Sequence, residues 1–91
     1  MKKMFYYVYI LLLSNNKLYT GSTSNLIERV DKHKNGSVIS TKNKRPIKLI
    51  HYEAYLNKSD ALRRERYLKT TEGKRFLRQQ IKLLLKELNY I

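Results

Sequence analysis

Two tyrosine-bearing segments, Tyr7-Val8-Tyr9 and Tyr19-Thr20-Gly21, precede a stretch that carries Arg29 and His33 four residues apart, on one face of a helix. An arginine placed there has a planar fork that matches two phosphate oxygens, and its charge persists at any working pH. A solvated helix face with an incidental histidine would look the same. The tyrosines fall in strand-like segments, where their ordinary role is to pack the ring and leave the hydroxyl at a wet rim. Gly21 removes side-chain bulk directly after Tyr19-Thr20 and would let a phosphate approach the backbone. With 20 Lys+Arg against 7 Asp+Glu, the formal net charge is +13. Such self-repulsion is usually offset by a polyanion, so these residues suggest chemistry on a phosphate backbone. A solubility device or a ribosome-associated protein would explain the same charge.

A divalent metal needs a carboxylate, and few are available. Glu28, Asp31, Glu72 and Glu87 fall at helix starts or on polar faces, and Asp60 is explained by a cap. Glu65 differs, because Ala61, Glu65 and Leu68 share the stripe that should pack against the sheet. A buried carboxylate must meet a cation or a metal. A structural salt bridge to Arg63, Arg64 or Arg66 is the alternative, although neighbours that close in sequence point to other faces. Glu53, on a strand, is the reserve candidate and reads better as a structural partner of a lysine.

The elements that must position these groups follow from pattern. Residues 4–13 (MFYYVYILLL) have the near-continuous apolar character of a central strand covered on both faces. Ser14-Asn15-Asn16-Lys17 is turn chemistry, and Leu18-Tyr19-Thr20 returns as a second strand. Asn25 caps a helix, with Glu28 reaching back to complete a capping box, and Asn35-Gly36 ends it. Residues 36–46 are polar and basic without periodicity, which predicts a mobile loop. Residues 47–55 read as a third strand entered after Pro46. Asn57 and Asp60 open a second helix with Ala61, Leu62, Tyr67 and Leu68 inward. Thr71 caps a third, over about 72–89, whose buried stripe is Phe76, Leu77, Ile81, Leu84, Leu85 and Leu88. The order is ββαβαα: an α+β chain with a small three-stranded sheet covered by helices, expected as one domain over 1–91. Zero cysteines exclude disulfides and thiolate metal sites, and two histidines are too few for an imidazole zinc site. The longest apolar run is too short to span a bilayer and lacks a cleavage-site pattern, so a soluble cytoplasmic protein is expected.

The joint pattern of Tyr7-Val8-Tyr9, Tyr19-Thr20-Gly21, Asn25, Arg29, His33 and Glu65 resembles the GIY-YIG nuclease domain, and most closely its small stand-alone bacterial members. The likeness spans about residues 5–77. It implies an antiparallel sheet flanked by helices, metal-dependent cleavage of phosphodiester bonds, and no organic cofactor. Position by position, Tyr9 matches the tyrosine closing the first motif and Tyr19 the one opening the second. Gly21 matches that motif's glycine, Arg29 the arginine used on the scissile phosphate, His33 a histidine of some members, and Glu65 the metal-binding glutamate. Tyr7 replaces a glycine and Thr20 an isoleucine, while Ser22 stands where some relatives carry a lysine near the attacking water.

On that resemblance, Glu65 would hold one Mg²⁺ or Mn²⁺, Arg29 would neutralise developing charge, and a water would attack in line. Tyr19 would serve as base only with a lowered pKa, and His33 is its rival; Tyr9 would orient water or phosphate. If both tyrosines serve one site, an odd-length hairpin connection or a bulge must pair Tyr19 with Leu11, since an even one would put Tyr9 and Tyr19 on opposite faces. Gly21, Ser22 and Asn25, together with Lys42, Lys44, Arg45 and Arg63, are candidate nucleic-acid contacts, as are Lys32, Lys34, Arg64 and Arg66. No recognition helix or zinc finger is present, so cleavage with little sequence preference is expected, with action on single strands, flaps or damaged ends. DNA rather than RNA as the partner is what the resemblance implies. A non-catalytic nucleic-acid-binding protein on the same fold is the alternative, and a basic partner of an acidic protein a third. Monomer and weak dimer both remain open.

Overall fold

The computed structural model describes residues 4–90. Strand β1 (Tyr6–Leu12) is central, with β2 (Leu18–Thr23) on one side and β3 (Lys48–Tyr55) on the other, all antiparallel, in the order β2-β1-β3. Its apolar run is explained by that place: Val8, Tyr9, Ile10 and Leu11 are each at most 1% exposed. The last β1–β2 pair is Leu12 with Leu18, and a further bond from Leu13 N–H to the Lys17 carbonyl (2.9 Å) leaves the three-residue loop Ser14-Asn15-Asn16. Asn16 supplies the positive φ (63°) that closes it. The connection is therefore odd, Tyr19 pairs with Leu11 and Gly21 with Tyr9, and the two tyrosines share a face.

Each face carries its own core. Val8 and Ile10 pack with Ala61, Leu68, Leu77, Ile81 and Leu85; Tyr9, Leu11 and Leu13 pack with Val30 and Ile47 on the opposite side. Each such side chain contributes about 1.5–3 kcal/mol when fully buried.

Helix α1 (Leu26–Lys34) covers the tyrosine face. Asn25 caps it by accepting the Glu28 N–H (3.2 Å), but the capping box is not completed. Thr23 Oγ1 takes the Asn25 N–H at 3.1 Å, and Glu28 pairs instead with Lys32 at 3.4 Å. Helix α2 (Lys58–Leu68), capped by Asn57, lies on the other face. The next helix starts one residue earlier than expected, with Thr70 Oγ1 as its cap to the Gly73 N–H (3.0 Å). It bends at Ile81 (φ −109°, ψ 29°) into α3 (Thr71–Gln80) and α4 (Lys82–Glu87), so the order ββαβαα holds with its last helix in two segments. Leu77, Ile81 and Leu85 take the inward positions, which leaves Phe76 47% exposed beside Arg75 rather than in the core. Gly73 is where α3 crosses the end of α2: an added Cβ would lie 1.9 Å from the Tyr67 carbonyl oxygen.

Segment 36–46, expected as a mobile loop, is tied down. Thr41 is fully buried, Lys42–Lys44 form a short 3-10 helix, and Ser14 N–H bonds the Lys44 carbonyl at 2.9 Å. These contacts come from distant segments, and a polar stretch without periodicity does not betray them.

Candidate active site

Tyr9, Tyr19, Arg29 and His33 come together between the sheet and α1. Tyr9 extends over Gly21 on the neighbouring strand, so closely that a Cβ at Gly21 would lie 2.4 Å from its hydroxyl. The room left by the missing side chain is thus filled by a phenol rather than left open for a phosphate. The Tyr9 hydroxyl meets His33 Nε2 at 2.9 Å and Arg29 Nε at 3.4 Å, and His33 Nδ1 meets Thr41 Oγ1 at 2.7 Å. Thr41 is also oriented to donate to the Val38 carbonyl (3.5 Å).

Those contacts have one consistent direction. Arg29 Nε can only donate, so the Tyr9 O–H points to a bare His33 Nε2, and the His33 Nδ1–H donates to Thr41. Burial, reinforced by the Arg29 charge, pushes the His33 pKa down and keeps the ring neutral. Burial also raises the Tyr9 phenol; Arg29 opposes that shift, while Tyr19 and Glu65 add to it. Arg29 is held still more firmly protonated, chiefly through its bond to Tyr9.

The site therefore has two layers. Tyr9, His33 and Thr41 are fully buried, and Tyr9 links His33 to Arg29 by hydrogen bonds. Arg29 and Tyr19 are partly exposed in front of them. The Tyr19 ring packs at 5.1 Å from His33 and 6.5 Å from Tyr9, with its hydroxyl 3.4 Å from Ser40 Oγ. Arg29 spends its Nε on Tyr9, and none of the ion pairs among the described residues uses it.

Glu65 approaches from the other face of β2. Ser22 alternates with Gly21 and pairs with Val8, and its hydroxyl donates to Glu65 Oε1 at 2.6 Å. Lys69 Nζ holds Oε2 at 2.9 Å, so the expected cation is Lys69 and not Arg63, Arg64 or Arg66. Burial would raise this carboxyl, but Ser22 and Lys69 outweigh it and hold the pKa below the usual carboxylate value. The Arg66 charge adds to that lowering without an ion pair to Glu65, and the other two arginines are committed elsewhere. Arg64 makes a two-pronged bridge to Glu53 (2.9 and 3.2 Å), where a lysine was expected, and Arg63 pairs with Asp60 at 3.2 Å.

The GIY-YIG catalytic domain profile matches residues 5–79. The chain belongs to the GIY-YIG family. Among its relatives, a UPF0213 protein of Clostridium perfringens is 39% identical over 85 residues, covering 92% of this chain and 91% of the relative. A UPF0213 protein of Staphylococcus haemolyticus is 40% identical, covering 90% and 95%. The solution NMR structure of a UPF0213 protein from Bacillus halodurans superimposes with a TM-score of 0.56 at 31% identity, over 85% of each chain.

GIY-YIG nucleases generally use a divalent metal, and the donor chemistry of these residues limits how one could be held. Among the described residues there is no group of three or more His, Cys, Asp or Glu suited to a metal. One ionised carboxylate fits Mg²⁺, which keeps several waters and completes its shell with substrate phosphate oxygens; it does not fit a fully protein-held ion. The expected nucleic-acid contacts divide. Lys42 and Lys44 are exposed on their 3-10 helix, and Ser22 faces Glu65. Asn25 spends its side-chain oxygen on its helix cap. Arg45 folds back onto the Lys42 and Lys34 carbonyls (3.0 and 3.5 Å) across Gly36, as a clasp on the loop. Thr41 and Lys69 were not singled out from sequence. Lys69 stands four residues after Glu65, a spacing that could have named it, whereas nothing local marks Thr41.

Proposed function

We propose that this protein is a divalent-metal-dependent nuclease that hydrolyses phosphodiester bonds in nucleic acid, DNA foremost, with little sequence selection. The observation that carries it is Arg29: a partly exposed guanidinium anchored through Nε to a buried Tyr9–His33–Thr41 chain, with no ion-pair partner among the described residues. An arginine fixed in this way is pre-organised for a phosphate, because the side-chain entropy of holding it is already spent.

In this reading Arg29 binds the scissile phosphate and neutralises charge as it develops in the transition state. Tyr19, the phenol in the exposed layer, orients the attacking water and is the candidate to take its proton. Tyr9 and His33 are positioning residues, acting through Arg29. Glu65 would hold Mg²⁺ or Mn²⁺, and Lys69 must release one carboxylate oxygen for it. A bound ion of this kind polarises a phosphate oxygen and stabilises the leaving oxygen. Exposed Lys42 and Lys44 would contact phosphates away from the bond that breaks.

One observation favours a non-catalytic nucleic-acid-binding protein instead: both Glu65 oxygens already have partners. A single assay separates the two readings. Labelled single-stranded and duplex DNA and RNA are incubated with the protein in Mg²⁺, Mn²⁺ or EDTA, beside Glu65→Ala and Arg29→Ala. Cleavage that needs metal, and falls by about 10²–10³-fold in Arg29→Ala while binding persists, is the expected result. A wild-type protein that binds every substrate and cuts none, in either metal, supports the binding protein.

A further inference from the structure

The sheet face that carries Tyr9 continues outward into aromatic surface. Tyr52 stands opposite Tyr9 across β1 and β3, and Tyr7 precedes Tyr9 by two residues, so the three rings project from the same face. Tyr7 and Tyr52 meet edge to face with centroids 5.9 Å apart, and Phe5 follows at 6.5 Å from Tyr7. Helix α1 packs Val30 and Leu26 over Tyr9 and Leu11, but this end of the face stays open: Tyr52 is 53% exposed and Phe5 44%.

We propose that Tyr52, Tyr7 and Phe5 form a stacking platform for the unpaired bases of a single-stranded nucleic acid whose backbone is held at Arg29. The proposal rests on the reading that Arg29 takes a phosphate. Arg29 meets the Tyr9 hydroxyl on the β2 side of β1 and Tyr52 pairs with Tyr9 on the β3 side, so anchor and platform lie on the same face of the sheet on either side of buried Tyr9. Base–aromatic stacking tolerates any sequence, because every base has a π face. In a duplex those faces are covered by neighbouring pairs, so the platform selects unpaired strands. Charge complementarity argues against a second copy of this chain as the occupant. A formal net charge of +13 repels another such chain and attracts a polyanion.

The test is fluorescence anisotropy in EDTA, where cleavage cannot contribute, with three labelled probes: a short DNA single strand, an abasic strand of equal length and charge, and a duplex. The base-bearing strand is expected to bind about tenfold tighter than the abasic one. Tyr52→Ala should remove that preference without changing affinity for the abasic strand or the duplex, and Tyr52→Phe should keep it. Phe5→Ala, outside the strands, should weaken the preference without touching the sheet. Equal affinity for the base-bearing and abasic strands overturns the platform, as does a uniform loss on all three probes in Tyr52→Ala. A dimer in sedimentation equilibrium that Tyr52→Ala dissociates assigns the patch to a second copy and also overturns it. Base preference without cleavage in Mg²⁺ or Mn²⁺ would sink the nuclease reading alone; cleavage without base preference would sink the platform alone.

Discussion

The hydroxyl of Tyr9 donates a hydrogen bond to His33 and accepts one from Arg29, and that single atom ties the partly exposed arginine to a buried histidine and threonine. In the proposed mechanism His33 supports Tyr9 and Arg29 rather than acting as the base, a reading supported by the engagement of both its nitrogens and the burial of its ring. The same economy holds at Glu65, where the Lys69 ammonium stands against one carboxylate oxygen. Lys69 is half exposed, so it can leave, but a divalent ion must compete with it. Lys69→Met should therefore tighten Mn²⁺ binding to the free protein by about tenfold, read by electron paramagnetic resonance of the unbound ion. Unchanged affinity would mean that the ion does not use this carboxylate.

Between elements, the decisive contact is the passage of the Tyr9 ring over β2. A Cβ at Gly21 would sit 2.4 Å from the phenol oxygen and 2.5 Å from the carbon that bears it, both on a ring with no space to retreat. Gly21→Ala should push Tyr9 off His33 and Arg29, lowering stability by about 1–3 kcal/mol in chemical denaturation. Cleavage should fall with it, even in protein that remains folded. Full activity in a folded Gly21→Ala variant would show that the Tyr9 contact does not position Arg29. The odd-length Ser14-Asn15-Asn16 loop belongs to the same scale, since one residue more or less would turn Tyr19 to the face of Val8.

For the molecule as a whole, the shifted groups predict sensitivity to acid. The folded His33 pKa is lowered from 6.5, so below that value the unfolded chain binds the proton more readily and stability begins to fall. Glu53 and Glu65, both lowered from 4.5, contribute stability above that value that is lost as the pH falls through their folded values. The melting temperature should thus decline below about pH 6.5 and again below about pH 4.5. His33→Gln should flatten the first decline and leave the second. A melting temperature independent of pH between these values would refute a neutral, buried His33. No helix among the described residues is long and apolar enough to cross a membrane.

Much of this arrangement is legible in the residues themselves. The apolar run of β1, the asparagine caps at Asn25 and Asn57 and the tyrosine, arginine and glutamate spacing are local signals, and local signals determine element type and the candidate chemistry. The odd hairpin follows from them by parity once both tyrosines are assigned to one site. What only the tertiary structure decided is depth and partnership: that Tyr9 and His33 lie behind Arg29, that Thr41 supports them from a loop, that Lys69 occupies Glu65, and that Phe76 faces water. Those outcomes depend on which side chains from distant segments compete for the same buried volume and the same protons. Spacing along a chain carries no record of that competition.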